Sequence, residues 1–557
     1  MDFKAPFLLL TTCFVFIQPP QSFSQEAPWL PAEGRFPLQS EPPAAPENPP
    51  DLILEPKDSF TLPANGQPLI RSFIVPATQL KSARHLQSLE LLPGSEDVVQ
   101  HAVIRLDLTA DSRKLDAKDK APGFPWRPEL ASLRRPEALF TVWTPRASVS
   151  EAPLGTGWRV HPETDFVVTL HLKPNGSPQE IRPMIACWFA SEPIHHVLAL
   201  RMANETIEIQ AMSKEYSVRD SFVVPVATKL HGIYPVANAL AESVRLDIYR
   251  PEAQGERVFE IRDWQANAQE DYKFKEPVEL PAGTRLEMKY VYSNFSDQKA
   301  MPTAVKWGPT LSDEVGELYL QLVVDHEAKA VRLAHSINRH QLALAIERAE
   351  RRFDPDSEAH AELAYLYADL GNHETAVAHG QKALAEAEKT EDISLQANAH
   401  GALGAAYLTN DFQFSAEEHL KKATELDPDN PNHWFNLGNV YLNYKVSSRA
   451  IENYSRALEL NSRDARILNN LGTAHLTKYD PSLPKESISN LKEARKHLEV
   501  IIDRYPRHSL ATANLARTQD LLGEKKEAIR LYKRAMMLAP GMAPTLNPLL
   551  AQLESTQ

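Results

Sequence analysis

The sequence predicts a multidomain β + α chain in which two antiparallel β-sandwiches precede an α-helical solenoid. Three observations carry that reading. At 557 residues the chain is too long for one hydrophobic core, given roughly 100–200 residues per domain. From about Asp51 to Val324, short apolar or alternating runs are punctuated by Pro and Gly, with no helical text between them. After Asp325 the composition turns abruptly to Ala, Leu, Glu, Lys and Arg at helical spacing, and that text repeats.

The amino terminus reads as a leader. Lys4 precedes the apolar run Phe7 to Ile17, and Ser22-Phe23-Ser24 supplies small residues at alternate positions, so residues 1–24 are expected to be a secretory signal peptide. Leu10-Thr11-Thr12-Cys13 imitates a lipidation box, but the apolar run continues past the cysteine. The protein is therefore expected to be exported, periplasmic or extracellular. No later segment reaches the ~18 consecutive apolar residues of a membrane helix, so no membrane insertion is expected. Residues 25–50, with prolines from Pro28 to Pro50, read as a Pro-rich disordered spacer.

Charge and cysteine narrow the function. The balance is acidic, 73 Asp plus Glu against 60 Lys plus Arg, with no long block of one sign. This argues against nucleic acid as a partner. Arg348, Arg351 and Arg352 alternate with Glu347 and Glu350, the pattern of a solvated helix face. Once Cys13 leaves with the leader, Cys187 stands alone in the apolar run Met184 to Phe189. No intramolecular disulfide can form, and with no cation beside it in sequence the thiol reads as buried and inert.

In the β region the clearest strands are Ala102 to Leu108, Phe166 to Leu172, Met184 to Ala190, Val244 to Tyr249, Arg285 to Tyr292 and Leu318 to Val323. Some 270 residues exceed one sandwich, so the stretch divides into 51–195 and 196–325. Residues 326–356 read as a connecting helical pair.

The helical region has a register. Trp434, Leu437, Gly438, Tyr441, Ala450, Tyr454 and Ala457 stand at offsets 4, 7, 8, 11, 20, 24 and 27 of a unit starting at Pro431. That is the ~34-residue tetratricopeptide (TPR) pattern. The frame also fits units starting at Ser357, Ala397, Ala465 and Ser509, the one at Ala465 with an insertion around Tyr479 to Ser489. About five TPR repeats are thus expected over 357–540, followed by a capping helix and tail over 541–557. Small residues at offsets 8, 20 and 27 let the two helices of a unit cross closely, and large ones fill the gap to the next unit. Offset 6 of the first helix is Asn436, Asn470 and Asn514 in three units, with Asn439 and Asn469 beside them. Side by side, a donor and an acceptor on each amide can pair with an extended backbone, so these five residues are the candidate partner-binding site for a protein or peptide in the TPR groove. Asn before Leu-Gly is also common in the repeat for its own sake.

Five motifs in the β region carry a further resemblance. They are Leu92-Pro93-Gly94 leading to Gln100-His101-Ala102, Val168-Thr169-Leu170-His171-Leu172-Lys173-Pro174, Gly232-Ile233-Tyr234-Pro235-Val236-Ala237-Asn238, Leu280-Pro281-Ala282-Gly283-Thr284-Arg285, and Ser312-Asp313-Glu314-Val315-Gly316-Glu317. In order and spacing they resemble the copper type II ascorbate-dependent monooxygenases, the peptidylglycine hydroxylating family. The resemblance implies two jelly-roll-like sandwiches. It also implies one copper held by three imidazoles, where this chain has Gln100, His101 and His171, and one held by two imidazoles and a thioether, where it has Val236, Asn238 and Val315.

Valine offers no lone pair and an amide oxygen is a poor donor to Cu(I). The reading is therefore a module that has lost its oxygen-activating site: a pseudoenzyme with no catalytic residue, no expected cofactor, and a residual metal site at most on His101 and His171. His195-His196 reads as surface or linker histidines, and neither Glu270 with Asp271 nor Glu314 with Glu317 is fixed by any pattern as an acid–base pair. The expected function is an exported protein-interaction scaffold. The alternative is a copper-dependent, ascorbate-using monooxygenase with a partial site. A third possibility is that the β module binds a peptide or glycan unchanged.

Overall fold

The computed structural model describes residues 36–39, 43–44, 46–125, 136, 140–145, 149–190, 195–265, 269–295, 303–308, 312–351 and 356–555. The expected leader and Arg352 lie outside the described residues.

The β region forms two units of paired antiparallel sheets. In the first, one sheet runs Leu52–Leu54, Met184–Ala190, Arg84–Leu92, Val149–Glu151, with Trp158–Val160 also on Arg84–Leu92. The other runs Phe124–Pro125, Leu69–Pro76, Asp165–Leu172, Val99–Asp107, Phe140–Trp143. Alternate residues of both sheets, Leu86, Leu89 and Ile185 against Phe73, Ile104 and Phe166, share one core. In the second unit, His196–Ala203, Gly316–Val324, Thr228–Ala237 and Tyr272–Leu280 face Tyr216–Val223, Arg285–Tyr292, Ala241–Tyr249 and Glu256–Ile261. Cys187 is fully buried in the first core, and burial pushes its thiol up to about 12, which makes it inert.

Part of the stretch read as a disordered spacer is ordered. Leu38 bridges Phe274, Gln39 N–H donates to Lys273 O (2.8 Å) and Lys275 N–H to Pro37 O (2.9 Å). The cause is local. Tyr272–Leu280 is an edge strand with free backbone groups, and Phe36 and Leu38 bring it apolar side chains that pack on the second core.

The helices comprise α1 (Asp111–Asp116) within the first β unit, α2 (Glu327–Glu350), and then ten in pairs: α3 (Ser357–Leu370) with α4 (His373–Ala387), α5 (Ile393–Thr409) with α6 (Gln413–Leu426), α7 (Pro431–Asn443) with α8 (Ser447–Leu460), α9 (Ala465–Lys478) with α10 (Pro484–Arg504), and α11 (Ser509–Leu521) with α12 (Lys525–Leu538). Helix α13 (Ala543–Glu554) closes the array. Where the sequence suggested a connecting pair over 326–356, there is one helix of 24 residues, whose Ala330, Leu333, Ala334 and Ile337 complete the second β core. That apolar face recurs at helical spacing without the glycine or proline that would break it.

Each first helix of a pair starts on a side-chain cap: Asp356, Asp392, Asn430, Asp464 and His508 accept from backbone N–H groups of the first turn. Offset 8 decides how closely the pair crosses. A Cβ on Gly404, Gly438 or Gly472 would lie 2.6, 2.6 and 2.8 Å from Leu420, Tyr454 and Leu498, all at offset 24 of the second helix. The fourth unit absorbs its insertion partly by lengthening the second helix, α10, to 21 residues.

Candidate functional site

The strand register brings His101 and His171 together. Strand Val99–Asp107 pairs antiparallel with Asp165–Leu172 so that His101 and His171 are direct partners on one face of the sheet. Their rings stack with centroids 3.7 Å apart. The opposite face, Ala102, Ile104 and Leu106, lies in the core, so the His101–Val103–Arg105 face looks outward at the second β unit. There it meets Tyr234, Val236, Asn238, Val315 and Glu317 around a pocket of about 40 Å³. Burial lowers His101 to about 4 and holds His171 well below its usual range, so both are neutral near pH 7. Gln100 is exposed and does not line the pocket.

The facing wall is committed to structure. Asn238 donates its side-chain amide to Asp313 O (2.7 Å), and its backbone N–H to Glu314 Oε1 (2.5 Å). Glu314, pushed up to about 7 by burial, also accepts from Leu240 and Val315 N–H. Among the described residues no group of three or more His, Cys, Asp or Glu could hold a metal ion. A ligand pocket usually offers ~300–1,000 Å³, so 40 Å³ admits a water-sized guest and not a peptide or a sugar. A larger cleft of about 720 Å³ lies elsewhere between the β units, lined by Lys229, His231, Lys273, Lys275 and Lys329 among others. Three of its lysines are already paired, Lys229 with Glu279, Lys273 with Asp271 and Lys329 with Asp325. No motif in the sequence signals it.

From Glu317 a buried chain of alternating charge leads to the solenoid. Arg105 donates to Tyr319 Oη (3.3 Å) and Tyr319 to Glu317 Oε2 (2.8 Å). Arg201 Nη2 reaches both Glu317 (2.5 Å) and Glu205 (2.7 Å). Arg348 of α2 then joins Glu205 (2.8 Å) to Glu362 of α3. Arg348 is thus no solvated residue, although Arg351 is exposed and pairs along the helix with Glu347. Burial opposes charge on Arg201, but Glu317 and Glu205 prevail and hold it well above the usual guanidinium range. Glu317 is therefore an ion-pair partner and Glu314 a backbone acceptor, which gives neither the freedom of an acid–base catalyst.

The solenoid returns to the β region through the end of α10 and the loops before α9 and α11. Arg463 and Arg113 both bond Asp165, whose side chain is fully buried. His161 Nε2 meets Asp503 Oδ2 (3.1 Å), Arg504 pairs with Glu163, and Arg507 donates to His196 Nδ1 (2.7 Å). His196, read from sequence as a surface or linker residue, is an interface residue opening the strand His196–Ala203, lowered to about 4 by burial and then by Arg507.

First helices touch one another across units, α3 with α5, α5 with α7, α7 with α9 and α9 with α11, which places them on the tighter side of the curve. The asparagines lie there and bond one another. Asn470 Nδ2 donates to Asn439 Oδ1 (2.7 Å), Asn469 to Asn470 Oδ1 (2.9 Å), and Asn514 to Thr473 Oγ1 (2.9 Å) and Asn469 Oδ1 (3.4 Å). Asn439 also accepts from Tyr454 Oη (2.6 Å), and Asn469 is 4% exposed. Asn436, Asn439, Asn470 and Asn514 are half-buried. Each amide can form about four hydrogen bonds, so Asn470 and Asn514 keep capacity for an incoming chain while Asn439 and Asn469 serve mainly as their supports.

Comparison with known proteins bears on this helical half. Family models match at residues 415–443 (TPR repeat) and 331–390 (tetratricopeptide repeat). The type IV pilus assembly protein PilF of Pseudomonas aeruginosa is 28% identical over 141 residues, 25% of this chain and 53% of PilF, so the chain spans about half the length of that relative. Among solved structures, YrrB, a TPR protein with an unusual peptide-binding site, is 23% identical, with 35% of this chain and 93% of YrrB covered and a TM-score of 0.26. MamA is 20% identical over 34% of this chain and 94% of its own, with a TM-score of 0.26. A thermophilic TPR protein of Thermus thermophilus is 17% identical over 35% of this chain and 98% of its own, with a TM-score of 0.28. The helical C-terminal region is a TPR solenoid.

Proposed function

We propose that this chain is an exported scaffold that holds another polypeptide in its TPR groove, with a β module that resembles the copper type II monooxygenases but performs no oxygen chemistry. The observation that carries the first half is the line of half-buried amides on successive first helices, with Asn470 and Asn514 retaining free hydrogen-bonding capacity. An extended peptide laid along them would be held by its backbone, so the groove would accept several sequences.

For the second half, the donor set is tested against copper and does not fit. At the oxygen-activating position Val236 and Val315 have no lone pair, and the Asn238 amide is bonded to Asp313 O. At the other position His101 and His171 supply two imidazoles, with Gln100 turned away. The second reading, a monooxygenase with a partial site, rests on that neutral, facing histidine pair alone.

The groove is tested by photo-crosslinking in the cells that make the protein. A benzophenone side chain at position 436 or 470 is expected to give a discrete adduct, and one at Lys421 of the second-helix face none. Equal labelling from both faces would defeat the proposal.

A further inference from the structure

The solenoid carries a second pattern that peptide binding does not use. Two successive units place a histidine at offset 4 of the first helix and at offset 23 of the second: His360 with His379, and His400 with His419. These positions face each other across the helical hairpin, and the rings meet nitrogen to nitrogen. Nδ1 of His360 is 3.0 Å from Nδ1 of His379, and Nδ1 of His400 is 2.9 Å from Nδ1 of His419. In both units the tyrosine at offset 11 stacks on the second histidine, Tyr367 on His379 and Tyr407 on His419, with 5.7 Å between centroids. The stack fixes that ring, and His379, His400 and His419 remain open to solvent on one side.

We propose that the two pairs are equivalent binding sites for a divalent transition-metal ion of tetragonal preference, copper(II) or nickel(II), with water in the remaining positions. The separation favours this class. With metal–nitrogen bonds of ~2.05 Å, two nitrogens at a right angle lie ~2.9 Å apart, whereas a tetrahedral angle puts them ~3.3 Å apart. The observed distances match the right angle in both units. They also suit a hydrogen bond between one protonated and one bare Nδ1. The ion would replace that bond as the protonated ring moves its proton to Nε2, so no net proton is released. The charged side chains that act on the pairs are Lys382 against Glu350, Glu386 and Asp356 in one unit, and Lys422 against Glu388 and Glu418 in the other, so carboxylates outnumber amines at both. The pattern also sets a count. In the fourth unit His475 takes the offset-11 position and stacks on His497 at 6.0 Å, ring on ring, an arrangement that does not chelate.

Equilibrium dialysis of the full chain against copper(II), read with electron paramagnetic resonance, tests the assignment. In a His101→Gln, His171→Gln background we expect two ions per chain, each showing coupling to two imidazole nitrogens. His379→Gln removes one ion, and His379→Gln with His419→Gln removes both, with unchanged far-ultraviolet circular dichroism. Copper retained in that double variant, or copper on the parent without imidazole coupling, would overturn the proposal and leave the pairs as hydrogen-bonded rings only. If the double variant misfolds, the parent's stoichiometry and coupling decide the matter alone.

Discussion

Arg201→Met is expected to destabilise the folded chain by about 3–5 kcal/mol, the cost of removing one member of a buried ion pair. The side chain is 3% exposed, and it is the shared cation of Glu205 and Glu317, themselves at most 4% exposed. Methionine fills the volume but takes from Glu317 and Glu205 the cation they share. The same change removes the side-chain bond from Arg201 to Gln341 Oε1 of α2 (3.3 Å), while the bond from Gln341 Nε2 to the backbone oxygen of residue 201 remains. Urea unfolding followed by near-ultraviolet circular dichroism checks it. A shift worth under about 1 kcal/mol would mean that the network is solvated and contributes as weakly as a surface pair.

Acid is expected to weaken the solenoid through His433. The ring is fully buried against Gly401, neither nitrogen has a hydrogen-bond partner, and burial lowers it to about 4. An unfolded chain takes up this proton near pH 6.5, while the folded chain resists until about 4. Stability is therefore fully present above 6.5 and falls as the pH drops towards 4, by ~1.4 kcal/mol per unit and ~3 kcal/mol in all. His101, lowered to about 4, adds a loss of the same sign in the β region. Helical unfolding midpoints at about pH 7 and about pH 4.5 should differ less in His433→Leu than in the parent, and near neutrality the variant should be as stable or more so, because an unbonded polar ring is replaced by an apolar one. An identical pH dependence in the two proteins would remove His433 from the explanation.

What could be read in the sequence was what local spacing encodes. The offsets of Gly438, Tyr454 and their equivalents fix both the repeat and the helix crossing, because the contact lies within one unit. The contribution of the asparagines was legible as position, but their mutual bonds were not. Asn439 and Asn470 are 31 residues apart, and only the stacking of units brings them within 2.7 Å. Arg348 read as a surface charge because its sequence neighbours are charged, whereas its partners, Glu205 and Glu362, come from other elements. The return of the solenoid to Asp165 and Glu163 left no trace, since single arginines at the junctions between repeats, Arg463 and Arg504, have no period. Phe36 and Leu38 were obscured by the prolines around them. His101 and His171 could be placed on strands, but their facing register is a property of the pairing.

The central claim is that the protein works by holding a chain and not by oxidising one. Mass spectrometry of glycine-extended peptides, incubated with the purified protein, copper, ascorbate and oxygen, tests it most directly. The account predicts no hydroxylated peptide above the level of a His101→Ala, His171→Ala control, because Val236, Asn238 and Val315 leave the β module without an oxygen-activating copper site. Product that depends on copper, ascorbate and His101 would contradict it and establish the chain as an oxygenase with a partial site.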